Sequence, residues 1–246
     1  MAWIEHATLT REPLISVVMP TRDRAHVLAR SIASVIAQRY AHWELIVCSD
    51  ESDASRTAEA IAAFDDARVL HLLGEGGSSG ATRNRGLKRA SGELVAYLDD
   101  DNAMHPNWLK SVAWAFEQRP ETEVLYGAIV IDDTARHHAE SGYEMPSAWL
   151  EPYDPDAARE SNVADTSAIA HRAGRSQAHW DENLMTTEDW DFLLRTTADR
   201  EPLTLPALAC FYYSDTEGGR LSELREQNAR DRAAIRRRPP GGARQR

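Results

Sequence analysis

The amino-acid sequence predicts an α/β protein whose central, mostly parallel sheet is covered by helices on both faces. Continuous apolar runs alternate with helix-compatible segments through the first hundred residues, which is typical of parallel strands buried on both sides. The chain has 246 residues, 42% of them hydrophobic, so it can bury a sizeable core. We expect an extension at 1–12, one domain at 13–220, and a charged C-terminal helix with a disordered arginine-rich tail at 221–246.

Four strands are predicted in the first half of the chain, each from a short apolar run. They cover residues 14–20, 44–50, 67–73 and 93–101. Helices are predicted at 25–38 and 53–64, where apolar and alanine residues recur at helical spacing. A glycine-rich turn at 74–80 leads into a third helix that begins at residue 81.

The second half is less regular and gives fewer elements. Strands are predicted at 123–132, 166–174 and 203–213, and a helix is predicted at 186–199, where Trp190, Leu193 and Leu194 have core-facing spacing. Residues 134–165 are rich in His, Pro, Asp and Glu, so we expect a loop over one edge of the sheet. From Arg220 the chain is helical and charged, and the disordered end is predicted to begin at residue 236.

Charge, hydropathy and cysteine content indicate which partners and which location to expect for the protein. Twenty-eight Lys and Arg against 39 Asp and Glu give a net charge of −11, which argues against wholesale binding of nucleic acids or anionic membranes. No apolar stretch is long enough to span a bilayer, and the first ten residues lack a secretory signal, so we expect a cytoplasmic protein and leave peripheral membrane contact open. Cys48 and Cys210 lie in apolar runs and are predicted to be reduced core residues.

Polar residues follow the predicted strands at the point where each apolar run ends. They are Pro20-Thr21-Arg22-Asp23 after the first strand, Ser49-Asp50-Glu51-Ser52 after the second, and Asp99-Asp100-Asp101 after the fourth. Ligands of open parallel sheets bind beyond the carboxyl ends of the strands, so these residues are candidate ligand contacts. Helix capping explains Thr21, Asp23 and Ser52 equally well, but it is a poor explanation for three adjacent aspartates.

The aspartate triplet predicts a divalent cation. Three neighbouring carboxylates repel one another, and a hard cation such as Mg²⁺ or Mn²⁺, shared with a diphosphate, relieves that repulsion. A solvated acidic turn is the alternative. If the strand continues through the triplet, its alternation places Asp99 and Asp101 on one face and Asp100 on the other.

Two further segments carry charge suited to chemistry. The glycine-rich turn and the helix after it offer backbone amides with Arg83, Arg85 and Lys88, an arrangement that can bind an anion. The sequence has neither a Walker A pattern nor a G-x-G-x-x-G fingerprint after the first strand, which disfavours ATPases and nicotinamide-dependent dehydrogenases. Glu188 and Asp189 open a helix, either as a general base or as acids that favour the helix dipole.

Three segments together resemble glycosyltransferase family 2, whose members have the Rossmann-like GT-A fold. ISVVMPTRDR resembles the opening of these enzymes, TRNRGLKRASGELVAYLDDDN resembles their Arg-Asn-x-Gly segment and D-x-D metal motif, and DENLMTTEDWDFLLR resembles their catalytic helix. The resemblance covers about residues 13–200. It implies an inverting transferase that uses a nucleotide-diphosphate sugar, a UDP-sugar being favoured, with Mn²⁺ or Mg²⁺. The acceptor would be a hydroxyl of a glycan, a lipid-linked sugar or a natural product.

The resemblance also implies roles for individual residues. The nucleotide would be bound by Pro20, Thr21, Arg22, Asp50, Arg83, Asp99 and Asp100, the metal by Asp101, and the catalytic base would be Asp189 in preference to Glu188. Many members have Tyr where Arg22 stands, and an arginine plane can stack on a base in its place. A late histidine common in the family is absent at CFYYSD, residues 210–215.

Two other functions stay open, and one loop is an acceptor candidate. A pyrophosphorylase-like nucleotidyltransferase also uses acidic metal ligands on an α/β sheet, although its glycine-rich loop is missing from PTRDRAH. A non-catalytic nucleotide-sugar or glycan binder is the second alternative. We expect the loop 134–165, with Tyr143, Trp149 and Tyr153, to border the acceptor, because aromatic rings pack well on sugars.

Overall fold

The structure of the protein is a computed structural model that describes residues 2–50, 54–132, 147–175, 177–213 and 224–238. These residues form nine strands: β1 Ile15–Thr21, β2 Trp43–Asp50, β3 Val69–Gly74, β4 Leu94–Tyr97, β5 Ala103–Met104, β6 Val124–Asp132, β7 Ser147–Trp149, β8 Ile169–Arg172 and β9 Leu203–Tyr213. The helices are α1 Ala2–His6, α2 Ala25–Ile36, α3 Ala54–Ala62, α4 Ser79–Arg89, α5 Trp108–Gln118, α6 Pro155–Glu160, α7 Glu188–Thr196 and α8 Arg225–Arg236.

The strands form a single sheet in the order β3-β2-β1-β4-β8-β6-β9-β5, with β7 paired to β6. The first four strands in this order are parallel to one another. β8 is antiparallel to both β4 and β6, while β9 runs parallel to β6. A 3₁₀ turn, Thr166–Ala168, precedes β8 and lies at the carboxyl end of β4. Because β8 starts at that end, it runs antiparallel to β4. The sheet is parallel in one half and mixed in the other.

Two apolar cores lie on opposite faces of this sheet, as alternation along the strands requires. On one face, Val17 and Met19 of β1 pack with Leu28 and Ile32 of α2. On the other face, Val18 of β1 joins a cluster that includes Phe192 and Leu193 of α7. Since helices cover both faces, the predicted α/β class is confirmed. Both cysteines are buried and free, which also confirms their predicted place in the core.

The close approach of α4 to the sheet sets the position of the charged residues on that helix. A Cβ atom at Gly86 would lie 2.5 Å from Val18 Cγ1 and 2.9 Å from Cys48 Sγ, so only glycine allows this packing. Ser78, next to the cleft, caps the N-terminus of α4 and accepts the Ala81 N–H through its hydroxyl at 3.2 Å. The first turn of α4 therefore faces the carboxyl edge of the sheet.

Several predicted boundaries are wrong. β4 ends at Tyr97, because the Asn102 N–H bonds to the Asp99 carbonyl at 3.2 Å and closes a turn. The described part of the predicted loop 134–165 contains β7 and α6, and α5 lies in a stretch for which no element was predicted. Helix α7 is also shorter than its predicted range 186–199.

Both ends of the described chain pack on the domain. At the N-terminus, the N–H groups of Thr10 and Arg11 both bond to Glu117 Oε2, at 2.9 and 3.1 Å. Arg236 and Arg238, assigned from sequence to a disordered end, hydrogen-bond to the Glu160 carbonyl and to Asp181 respectively. Residues 239–246 of the predicted tail lie outside the described residues. No helix in the described ranges has the length and apolar character needed to cross a bilayer.

Candidate active site

A cleft of about 580 Å³ opens at the carboxyl ends of β1 and β4. Nearly all the candidate site residues line it: Pro20, Thr21, Arg22, Arg83, Asp99, Asp100, Asp101, Glu188 and Asp189. Asp50 ends β2, and its side chain lies outside what the structure describes. The topology therefore brings together residues that are up to 169 positions apart in sequence, as Pro20 and Asp189 show.

An arginine holds two of the three adjacent aspartates. Arg24 donates to Asp100 Oδ1 at 3.1 Å and to Asp101 Oδ2 at 2.9 Å, and the Thr21 hydroxyl donates to Asp100 Oδ2 at 2.8 Å. The prediction that Asp100 points away from its neighbours is therefore wrong. It assumed that the strand continues through the triplet, whereas the triplet lies in a turn after β4.

Burial raises the pKa of the Asp100 carboxyl group. Its side chain is almost fully buried, and this burial raises the pKa of Asp100 to about 7 even though Arg24 lowers it.

Helix α2 supports the backbone of the aspartate turn. The Ser31 hydroxyl donates to the backbone carbonyls of Asp100 and Asn102, each at 2.7 Å. The triplet is therefore a rigid part of the cleft.

Arg83 bridges the aspartate turn to helix α7. Its guanidinium donates to Asp99 Oδ1 and to Glu188 Oε1, each at 2.7 Å, and it lies 4.6 Å from the centre of the Trp180 ring. Burial lowers the pKa of Arg83, but Asp99 and Glu188 raise it more, so the net direction is upward. A permanent positive charge therefore lies in the cleft, 3% exposed.

Glu188 and Asp189 have different partners, although they are adjacent in α7. Glu188 is paired with Arg83, whereas Asp189 Oδ2 accepts from the Asn162 amide at 2.9 Å and Oδ1 accepts from the Trp190 N–H at 2.8 Å. Burial raises the pKa of Asp189 to about 8, with further contributions from the negative charges of Glu188 and Asp165. Asp189 is thus a half-buried carboxylate whose hydrogen-bond donors are neutral. Its pKa is shifted toward the range that suits a general base.

Arg24, Asn162 and Asp165 are among the cleft residues that were not predicted from the sequence. Arg24 is in the TRDR segment, directly after the candidate Asp23, but the cation predicted beside the triplet was a metal. Asn162 and Asp165 fall in the predicted loop and carry no local signal of their own. Asp165 caps the 3₁₀ turn by accepting the Ser167 N–H at 2.8 Å, and burial, with the nearby charge of Asp99, raises the pKa of Asp165 to about 7.

The acidic residues fit a divalent cation that is shared with a ligand. Within the described ranges, no group of three or more His, Cys, Asp or Glu side chains is arranged to hold a metal ion. Asp99 and Asp101 nevertheless line the cleft, where their carboxylates accept hydrogen bonds from Arg83 and Arg24. Mg²⁺ and Mn²⁺ are commonly held by one or two carboxylates and complete their shell with phosphate oxygens and water. The residues therefore suit a metal bound jointly with a diphosphate.

The aromatic residues predicted to border the acceptor do not line the cleft. Trp149 packs against one core and donates from Nε1 to Glu151 Oε1 at 2.9 Å. Tyr153 packs against the other core, and its hydroxyl lies 3.3 Å from Thr197 Oγ1. Tyr143 lies outside the described residues. Trp149 and Tyr153 thus have packing roles.

Comparison with known proteins gives a family and a set of solved folds. The sequence model of Glycosyl transferase family 2 matches residues 16–182. The Escherichia coli UDP-Glc:alpha-D-GlcNAc-diphosphoundecaprenol beta-1,3-glucosyltransferase WfgD is 41% identical over 99 residues, which cover 39% of this chain and 38% of that protein. The chain thus aligns with well under half of that relative's length.

Two solved structures have the same fold at low sequence identity. S. aureus TarS 1–349 in complex with UDP-GlcNAc has a TM-score of 0.67 at 18% identity, covering 85% of this chain and 60% of that one. The mannosyltransferase PcManGT from Pyrobaculum calidifontis, in complex with GDP-Man and Mn²⁺, has a TM-score of 0.64 at 17% identity, covering 94% and 66%. The GT-A fold expected from the sequence is confirmed. Because the family model spans more than half of the chain, the protein belongs to Glycosyl transferase family 2.

Proposed function

We propose that the protein is an inverting glycosyltransferase that moves a sugar from a nucleotide-diphosphate sugar to an acceptor hydroxyl. The observation that carries this proposal is the different pairing of Glu188 and Asp189. Arg83 neutralises Glu188, which leaves Asp189 with neutral partners and a raised pKa at the wall of the cleft. A carboxylate in this state can accept a proton near neutral pH.

A UDP-sugar is the favoured donor, and a glycan, lipid-linked sugar or natural product is the acceptor class. The E. coli relative is named as a transferase from UDP-Glc to a lipid-linked GlcNAc diphosphate, and TarS was solved with UDP-GlcNAc. Asp100, which accepts hydrogen bonds from Thr21 and Arg24, would bind ribose hydroxyls. Pro20, Arg22 and Asp50, at the ends of β1 and β2, would contact the base.

The departing diphosphate needs positive charge, and the cleft supplies it. Arg83 stands between the aspartate turn and α7, where a guanidinium can stabilise the negative charge that develops on the leaving group. Asp101, with Asp99, would hold Mn²⁺ or Mg²⁺, and the bound ion would add electrostatic stabilisation of the diphosphate. The Mn²⁺ in the PcManGT complex supports this assignment.

The reaction is a direct displacement at the anomeric carbon. The acceptor oxygen attacks that carbon and forms a new C–O bond while the bond from the carbon to the diphosphate oxygen breaks. Asp189 takes the hydroxyl proton, and the nucleoside diphosphate leaves with the bonding electron pair. Attack from the face opposite the leaving group inverts the anomeric configuration.

A donor panel tests this function against the two alternatives. The protein is incubated with Mn²⁺ and with UDP-glucose, UDP-GlcNAc or GDP-mannose, with and without a GlcNAc-diphospholipid acceptor. We expect free nucleoside diphosphate from one donor. In a parallel incubation with a sugar 1-phosphate and UTP, release of pyrophosphate would instead indicate nucleotidyl transfer. Donor binding without product in either incubation would indicate a binding protein. We also propose that the protein is cytoplasmic.

A further inference from the structure

We infer that Asp231, on the C-terminal helix α8, is a positioning residue that holds the base Asp189 in its reactive place. The inference rests on the proposed function, because it assumes that Asp189 is the base. α8 follows the matched region 16–182, so the family comparison assigns it no role. Asp231 itself touches the loop before α7 and does not line the cleft.

Asp231 binds the loop that leads into α7 through one carboxylate oxygen. Its Oδ2 accepts the N–H of Met185 at 3.1 Å, the N–H of Thr186 at 2.8 Å and the hydroxyl of Thr186 at 2.9 Å. Its Oδ1 accepts from the Gln227 amide at 2.8 Å, which fixes the orientation of the carboxylate. The side chain is buried, 5% exposed, so these charge-assisted bonds are shielded from water.

The loop needs such support because it contains a strained residue. Thr187, which directly precedes Glu188, has a φ of +53°, in the left-handed region that β-branched residues avoid. Its hydroxyl is buried and has no hydrogen-bond partner among the described residues. A conformation of this kind is energetically unfavourable and persists only when its surroundings impose it. The three bonds to Asp231 supply that constraint one residue away.

α8 also supports the residue that orients Asp189. Trp190 donates its N–H to Asp189 Oδ1, and its ring packs with Ile235 of α8 in a small buried cluster. The guanidinium carbons of Arg232 and Arg236 lie 5.4 and 5.8 Å from the centre of the Trp190 ring. Since α8 fixes both the loop before Asp189 and the residue after it, a small shift of α8 is transmitted to the carboxylate.

The next turn of α7 is attached to the same end of the chain. Arg238, just beyond α8, donates to Asp191 Oδ1 and, at 2.6 Å, to Asp181 Oδ2. Asp191 is 1% exposed and also accepts from Arg195 Nε at 2.8 Å. The C-terminal segment therefore holds α7 on both sides of the base.

The test compares turnover with donor binding in four variants. Asp231→Ala removes the loop bonds, Asp231→Asn keeps an acceptor oxygen, Glu226→Ala changes an exposed carboxylate of the same helix as a control, and Asp189→Asn removes the base. We measure nucleotide release with the most active of UDP-glucose, UDP-GlcNAc and GDP-mannose, and the affinity for that donor by calorimetry. We expect Asp231→Ala to lower kcat about 10- to 100-fold, as a misplacement of about 1 Å does, with donor affinity unchanged.

The controls separate positioning from folding. Asp231→Asn should recover most of the lost turnover, and Glu226→Ala should match the wild type. In the Asp189→Asn background, Asp231→Ala should have no further effect on kcat, because a residue that acts through the base has nothing left to position. If Asp231→Ala fails to fold, Gln227→Ala, which frees the carboxylate to rotate, should give a smaller loss of kcat.

The outcomes distinguish this inference from the proposed function. If Asp189→Asn abolishes turnover while Asp231→Ala, or Gln227→Ala in its place, turns over like the wild type, Asp231 is not a positioning residue and the proposed function stands. Equal losses from Asp231→Ala in both backgrounds, or weaker donor binding in proportion to kcat, also overturn the inference. If Asp189→Asn keeps wild-type turnover, the assignment of the base fails, and the inference fails with it.

Discussion

Replacing Arg83 by Met tests the electrostatic core of the site. The guanidinium is the shared partner of Asp99 and Glu188, and its side chain is 4% exposed against 28% and 9% for those two acids. Removing one partner of a buried ion pair costs about 3–5 kcal/mol, because the other charge stays buried without compensation. The partial hydration of Asp99 favours the lower end, about 3 kcal/mol.

This loss of stability has a measurable size. For a domain of this length, each kcal/mol lowers Tm by about 2–4 °C, so Arg83→Met should melt about 6–12 °C below the wild type. Arg85→Met is the matched control. Arg85 lies on the same helix, and its strongest bond is to the Glu75 carbonyl at 2.7 Å, so no buried carboxylate loses its partner.

The same substitution should shift the pH dependence of turnover. Arg83 lowers the pKa of Asp189, so its removal raises that pKa further above the wild-type value of about 8. A general base must be deprotonated, and the rise of kcat with pH should therefore move to higher pH in Arg83→Met. A melting temperature within 2 °C of the wild type, together with an unmoved pH profile, would refute this account of Arg83.

Three further substitutions have defined outcomes. Asp189→Asn should lower kcat at least about 10²-fold with little change in donor affinity, and equal turnover would show that another group takes the proton. Asp101→Ala should lose the Mn²⁺-dependent part of donor binding, so calorimetry with unchanged affinity would contradict its role. Gly86→Ala places a methyl group 2.5 Å from Val18 Cγ1 and should cost about 1–3 kcal/mol in thermal denaturation, whereas an unchanged Tm would contradict that packing.

The sequence predicted the bounds of a strand most closely where an apolar run extends along most of that strand. β9 spans residues 203–213 as predicted, β1 is shifted by one residue from its predicted range, and β2 begins one residue earlier than predicted. In β1 and β2 both faces are buried, so a continuous apolar run marks the element, whereas β9 is only partly buried. α5 received no prediction, although Trp108, Leu109, Val112 and Phe116 have helical spacing.

The sequence predicted which residues line the site better than it predicted which of them pair with one another. The repulsion within the aspartate triplet predicted a divalent metal, which stays a proposal, and the structure pairs these acids with two guanidiniums that were not predicted to contact them, Arg24 and Arg83. Which arginine reaches which acid depends on the turn after β4 and on the packing of α4. Asp231 carried no signal, because its partners in the loop before α7 lie 45 and 46 residues away and are mostly backbone groups.

The stereochemistry of the product tests the central claim most directly. The protein is incubated with Mn²⁺, the most active α-linked UDP-sugar and the GlcNAc-diphospholipid acceptor, and the new linkage is read from its anomeric coupling by proton NMR. Direct displacement with Asp189 as the base predicts a β-linked product and one free UDP per linkage formed. An α-linked product, or UDP released without a new linkage, would contradict the account.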